Sequence, residues 1–144
     1  MRSPLKTGLA TALVAIATAM ALPSIFSFAD GPPVEWKAPS RAARKTNPIA
    51  ADEKSVAAGK GVYAAQCISC HGPTGHGDGP AAKDLNPKPR NLSDPAIQAQ
   101  SDGSIFWKIT TGKAPMPTFE KLIGEDDRWN VINYVRTLAQ GGKK

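Results

Sequence analysis

The chain has 144 residues, room for one ordinary domain, and holds 13 Gly, 13 Pro, 2 Cys, 2 His and 3 Met. Two cysteines exclude a disulfide-dense mini-protein and a four-cysteine zinc or iron–sulfur site, and two histidines leave little for a multi-metal centre. The formal net charge of +6 is the one hint of a nucleic-acid partner, and the way that charge is distributed weakens it.

The first 29 residues have the pattern of an export signal. Arg2 and Lys6 make a basic start, Thr7 to Ala29 carries no charge, and the run closes through Pro23 to Ser27-Phe28-Ala29. A basic start, an apolar centre and a small-x-small end predict cleavage before Asp30. The alternative is an uncleaved membrane anchor, since the uncharged stretch is just long enough to span a bilayer. Export predicts a periplasmic location and an oxidising compartment, in which cysteines are oxidised, capped or bonded. Cleavage also removes Met1 and Met20, leaving Met116 as the single methionine.

Residues 30–51 contain four Pro and no helical period, and carry Lys37, Arg41, Arg44 and Lys45 against Asp30 and Glu35. This reads as a basic, Pro-rich arm or linker, with Trp36 the residue to tack it onto a domain. Residues 52–140 read as the folded unit, with 10 basic and 10 acidic side chains, and 141–144 as a basic tail. A neutral domain with basic ends and no aromatic–basic interleaving argues against nucleic acid. Basic ends suit docking to an acidic partner or anionic surface.

Three helices are predicted in the domain. The first starts at the N-cap Asp52 with Glu53 in its first turn, and runs through Val56, Gly59 and Tyr63 toward Cys67. The second starts at Ser101 or Asp102, carries Ile105, Phe106 and Ile109, and ends at Gly112. The last opens on Glu125-Asp126-Asp127 and presents Trp129, Ile132 and Val135 three residues apart, ending at Gly141. A short turn is expected at Ser93-Asp94-Pro95. No run alternates as a strand, and so much loop around so few helices leaves a thin core for something large and apolar to fill.

Cys67-Ile68-Ser69-Cys70-His71 is C-x-x-C-H, the attachment pattern of a c-type haem. Two thiols on the turn closing a helix can add to the two vinyl groups on one haem edge, and the adjacent His reaches the iron. A thioredoxin-like reading lacks its β-α-β setting. A plain disulfide would leave His71 unexplained. A zinc site of Cys67, Cys70, His71 and His76 is strained by two ligands adjacent in sequence. One covalent haem c is therefore the predicted cofactor.

The sixth position of the iron has several candidates: Met116, a lysine, or no protein ligand. His76 follows His71 too closely to reach the opposite face. Met116 lies between Pro115 and Pro117 in a segment the prolines stiffen against helix, which suits a loop holding one side chain at a metal. A loop Met packed in the core is the alternative. With His71 and Met116 as axial ligands, the potential is expected in the upper part of the roughly 0.8 V range that axial ligands span.

Four motifs together make the chain resemble a class I monohaem cytochrome c of the bacterial type. They are Gly59-x-x-x-Tyr63-x-x-x-Cys67-x-x-Cys70-His71-Gly72, Gly77-Asp78-Gly79-Pro80-Ala81-Ala82, Gly112-x-x-x-Met116-Pro117, and Trp129-x-x-x-x-Tyr134. The resemblance covers about residues 52–140 and leaves the arm outside. It implies an all-α cytochrome c fold: three to four helices and long loops around one covalent haem, with the N- and C-terminal helices crossing. Gly59 would allow the close approach, and Tyr63 would pack on Val131 and Tyr134. It also implies a Pro carbonyl, assigned to Pro80, accepting the Nδ1 proton of His71. Arg90 and Trp107 are candidate donors to the haem propionates, against their readings as a surface Arg and a core Trp.

The functional expectation is single-electron transfer between exported or membrane-bound redox partners, without enzymatic activity. Two alternatives keep the haem. One is a tethered subunit of a membrane respiratory oxidoreductase, with membrane association through a partner or an uncleaved signal. The other is a five-coordinate haem sensor or peroxidase, which requires Met116 to be off the iron.

Overall fold

The structure is a computed structural model and describes residues 35–141. The signal-like residues 1–29 lie outside the described residues, as do 30–34 and most of the basic tail. Among the described residues there are six α-helices and no strand: α1 (Ser40–Ala43), α2 (Glu53–Gln66), α3 (Ile68–His71), α4 (Pro95–Gln98), α5 (Asp102–Thr111) and α6 (Glu125–Gly141). A single 3-10 turn spans Ala82–Asp84.

The long helices begin and end on local chemistry visible in the sequence. Asp52 caps α2 by accepting from the Ser55 backbone N–H at 2.7 Å, and Ser55 Oγ accepts from the Asp52 N–H at 3.2 Å, a reciprocal capping box. Ser101 caps α5 through the Ser104 N–H, and Asp94 caps α4 with Pro95 at its first position. The acids at 125–127 lie in the first turn of α6, where the helix dipole favours negative charge.

Helices α2 and α6 pack closely. A Cβ built at Gly59 would overlap the Asn130 carbonyl of α6, so only glycine admits this approach. Tyr63, Val131 and Val135 bury themselves beside the crossing, and the Tyr63 and Tyr134 rings lie 5.1 Å apart at 56°. A second cluster joins α5 to α6 through Ile105, Phe106, Trp129 and Ile132, with Phe106 stacked on Trp129 at 3.9 Å. Together these clusters are the core, and they hold the two loop regions that carry the chemistry.

From Glu35 onward, the segment expected to be a linker lies against the domain instead. Asn47 Nδ2 donates to the Trp129 carbonyl (3.2 Å) and to Asn133 Oδ1 (2.8 Å), while Ile49 packs on the α5–α6 cluster. Asn133 in turn donates to the carbonyls of Ile49 and Ala50. Ser101 Oγ donates to the Ala43 carbonyl at 2.7 Å. Buried polar groups need such partners, and here the segment and α6 satisfy one another. Residues 35–51 form a strap rather than a tether.

Candidate functional site

Helix α2 ends at Gln66, and the chain turns at once into the single turn of α3. The N–H groups of Cys70 and His71 both donate to the Cys67 carbonyl, at 3.2 and 2.8 Å. This turn places Cys67, Cys70 and His71 in one continuous stretch of helical backbone. Both cysteines are half-buried and free of disulfide. Burial, with a smaller contribution from Cys70, pushes the Cys67 thiol up to about 12, so it stays protonated at neutral pH.

Two sets of contacts hold the turn. Tyr63 Oη donates to the Gly72 carbonyl at 2.7 Å, tying it to the buried end of α2. The glycine-rich loop that follows folds back on it: Gly77 N–H donates to the His71 carbonyl (2.9 Å), Gly79 N–H to Cys70 (3.2 Å) and Ala81 N–H to Ser69 (2.9 Å). The loop thereby satisfies the orphan carbonyls at the end of the helix. His76 sits exposed on this loop, its Nδ1 2.7 Å from Thr74 Oγ1.

His71 Nδ1 lies 3.1 Å from the backbone carbonyl of Arg90. This differs from the assignment of Pro80 as acceptor: Pro80 is exposed, and the carbonyl at Nδ1 is that of Arg90. A carbonyl only accepts, so Nδ1 carries the proton and Nε2 keeps its lone pair. Burial holds the imidazole below its ordinary value while the Arg90 carbonyl acts in the opposite direction.

Met116 comes from a separate segment, after α5. Gly112 ends that helix at φ 65°, where an added Cβ would overlap the Pro117 carbonyl. Lys113 and Met116 then exchange backbone hydrogen bonds at 3.0 and 2.9 Å across a turn containing a cis Ala114–Pro115 bond. Beyond the turn, Thr118 Oγ1 donates to the Thr110 carbonyl (2.6 Å) and Phe119 N–H to the Ile109 carbonyl (3.2 Å), so the segment returns to α5. From the other side, buried Arg128 of α6 gathers the carbonyls of Glu120 (2.8 Å) and Ile123 (2.9 Å) through Nη1, its guanidinium 5.1 Å over Phe106. Sequence reasoning missed Arg128. Its only signal is an arginine on the apolar side of an otherwise readable helix.

Arg90 and Trp107, the candidate propionate donors, fall in different environments. Arg90 is exposed, with its backbone fixed to His71; Trp107 is half-buried, its ring 6.3 Å from that of Trp36 in the strap. Lys108, beside Trp107, was not singled out from the sequence. Its Nζ lies 5.5 Å from the centre of the Trp36 ring.

The donor set fits a covalently attached haem. It combines two unpaired thiols one helical turn apart with an imidazole whose Nδ1 is already engaged.

Residues 54–135 match the family described as cytochrome c oxidase, cbb3-type, subunit III. The cytochrome c6 of Rippkaea orientalis is 34% identical over 91 residues, covering 61% of this chain and 75% of the relative. That of Euglena gracilis is 32% identical over 88 residues, covering 58% and 92%. Among solved structures, a chain of the Kuenenia stuttgartiensis reducing HAO-like protein complex aligns with a TM-score of 0.58 at 32% identity. The match covers 63% of this chain and 46% of that one.

An all-α domain built on a C-x-x-C-H turn, with these relatives, defines a class I monohaem c-type cytochrome, and the chain belongs to the matched cytochrome family. It binds one haem c covalently and carries electrons between redox partner proteins rather than catalysing a reaction.

Proposed function

We propose that the protein is an exported single-electron carrier, acting in the periplasm, whose haem is bonded through Cys67 and Cys70 and whose iron is held between His71 and Met116. The observation that carries this reading is the Met116 turn. It holds the only methionine among the described residues, and the segment that follows it is fixed to α5 through Thr118 and to α6 through the Arg128–Glu120 contact.

The bound haem supplies a one-electron ferrous/ferric couple. The protein's part is to hold the coordination sphere constant through that change. The Arg90 carbonyl fixes the ring and tautomer of His71 and raises the basicity of Nε2. Tyr63 and the glycine loop keep the Cys67–His71 turn from shifting. The pinned Met116 turn keeps its sulfur in place, so neither oxidation state requires rearrangement. Arg90 and Trp107 are assigned to the haem propionates.

A second reading is favoured by the family's own description as an oxidase subunit: the chain works as the haem-bearing subunit of a membrane oxidoreductase. Among the described residues no helix is long and apolar enough to cross a membrane. Attachment would therefore fall to residues 1–29 or to a partner. Recovery of the protein in salt-washed membranes supports this reading, and recovery in the periplasmic fraction supports the free carrier.

Ligand binding tests the coordination. The reduced protein should not take up CO readily, nor the oxidised protein cyanide, because both axial positions are filled. Rapid uptake of either, with a high-spin ferric spectrum, would overturn the carrier reading in favour of an open-site sensor or peroxidase.

A further inference from the structure

Arg128 is the least expected residue on the buried side of α6. It is 6% exposed and makes neither of the two ion pairs among the described residues. A buried cation without a carboxylate is costly unless other groups solvate it. Backbone carbonyls do so here. Nη1 donates to Glu120 at 2.8 Å, to Ile123 at 2.9 Å and, at a longer 3.4 Å, to Phe119. The guanidinium lies 5.1 Å over the Phe106 ring, which itself stacks on Trp129, so aromatic packing fixes where it sits. Nε is buried without a hydrogen-bond partner among the described residues. An apolar side chain of similar volume would fill such a place without that cost. What Arg128 adds is a grip on residues 119–123.

That grip bears on Met116. The Lys113–Met116 turn runs directly into the gripped segment. Thr118 and Phe119 hydrogen-bond to the Thr110 and Ile109 carbonyls of α5, at 2.6 and 3.2 Å, and Arg128 takes over at Glu120. Glu120, Lys121 and Leu122 are exposed, so Phe119 and Ile123 make up the buried apolar share of the segment. Hydrogen bonds from a cation are roughly twice as strong as neutral ones. Lifting the segment off α6 has to break those that Arg128 makes.

We propose that Arg128 is the positioning residue for Met116: its hold on residues 119–123 sets how often the Met116 sulfur leaves the iron. The proposal rests on Met116 being an axial ligand. An external ligand that needs the Met116 position binds with an affinity reduced by the fraction of molecules in which that position is open. Loosening the segment raises the fraction and tightens binding, with no change at the iron itself.

The test measures the cyanide affinity of the full-length ferric holoprotein beside its denaturant midpoint. Arg128→Met keeps an unbranched stem and removes the donors. It should tighten cyanide binding by about tenfold, as expected when hydrogen bonds to a charged group are lost from the closed state. Arg128→Lys keeps the charge without the planar fork and should tighten it by less. It carries the test if Arg128→Met does not fold. Arg136→Met is the control. Arg136 is also on α6, but it serves the Asp102 carboxylate and the Gln98 and Gln100 carbonyls, none of them in the Met116 segment. Its loss should lower the denaturant midpoint and leave the cyanide affinity unchanged. In Met116→Ala, where the position is already open, adding Arg128→Met should tighten nothing further.

If Met116→Ala tightens cyanide binding and neither Arg128 variant does more than Arg136→Met, the role of Arg128 is overturned while Met116 stands as the ligand. If the effect of Arg128→Met persists in the Met116→Ala background, Arg128 does not act through Met116, and the proposal is again overturned. If Met116→Ala binds cyanide no more tightly than the intact protein, the assignment of Met116 falls, and the proposal with it.

Discussion

At the scale of single residues, the site depends on a few backbone positions that admit one side chain or none. Gly59 is the clearest. A methyl group there meets the Asn130 carbonyl, which is α6 backbone and cannot rotate away. Gly59→Ala should therefore destabilise the fold by about 1–3 kcal/mol, the usual range for overpacking. The measurement is the denaturant midpoint of the holoprotein, and an unchanged midpoint would contradict the packing. Gly61, two residues on, has open space around it and is the control. The C-x-x-C-H residues were legible because covalent attachment imposes a fixed spacing. The acceptor for His71 was not, because any residue can supply a carbonyl. Only the path of the chain decides that Arg90, 19 residues away, is the one that arrives.

At the scale of elements, helices read well where their ends and faces are locally encoded. Asp52, Ser101 and Asp94 cap the helices they were expected to cap, and α5 and α6 end where Gly112 and Gly141 placed them. The Asp52 cap has a pH signature. Its carboxylate accepts the Ser55 N–H, which holds its pKa below the ordinary 3.8. A lowered folded-state pKa stabilises the fold above that value and loses the contribution as pH falls through the folded value. Asp52→Ala should therefore lower the melting temperature at neutral pH, and the difference should shrink as the medium is acidified below about pH 4. A difference constant with pH would place the loss elsewhere.

The strap was not legible, because what holds it is long-range. Asn47 meets Asn133, 86 residues away, and the Pro-rich residues 30–51 show no period to suggest docking. Asn47→Ala leaves the buried Asn133 Oδ1 without its donor and should destabilise by about 1–2 kcal/mol in denaturant titration. A truly free linker would show no effect.

At the scale of the whole molecule, charge and coordination divide the work. The balanced domain leaves excess positive charge to the strap and tail, and Arg41, Arg44 and Lys45 are exposed on the strap. Electron exchange with an acidic redox partner should slow as ionic strength rises, since surface attraction is screened beyond about 10 Å at 0.1 M salt. Neutralising Arg41, Arg44 and Lys45 together should flatten that dependence in stopped-flow measurements. An unchanged salt slope would place docking on another face.

The central claim is that Met116 completes the iron's coordination, and the ferric absorption and magnetic spectra of the intact protein and Met116→Ala test it most directly. The account predicts a low-spin His/Met spectrum in the intact protein that is lost in the variant, which then becomes open to CO and cyanide. Identical spectra in the two proteins, or a high-spin spectrum in the intact one, would contradict it.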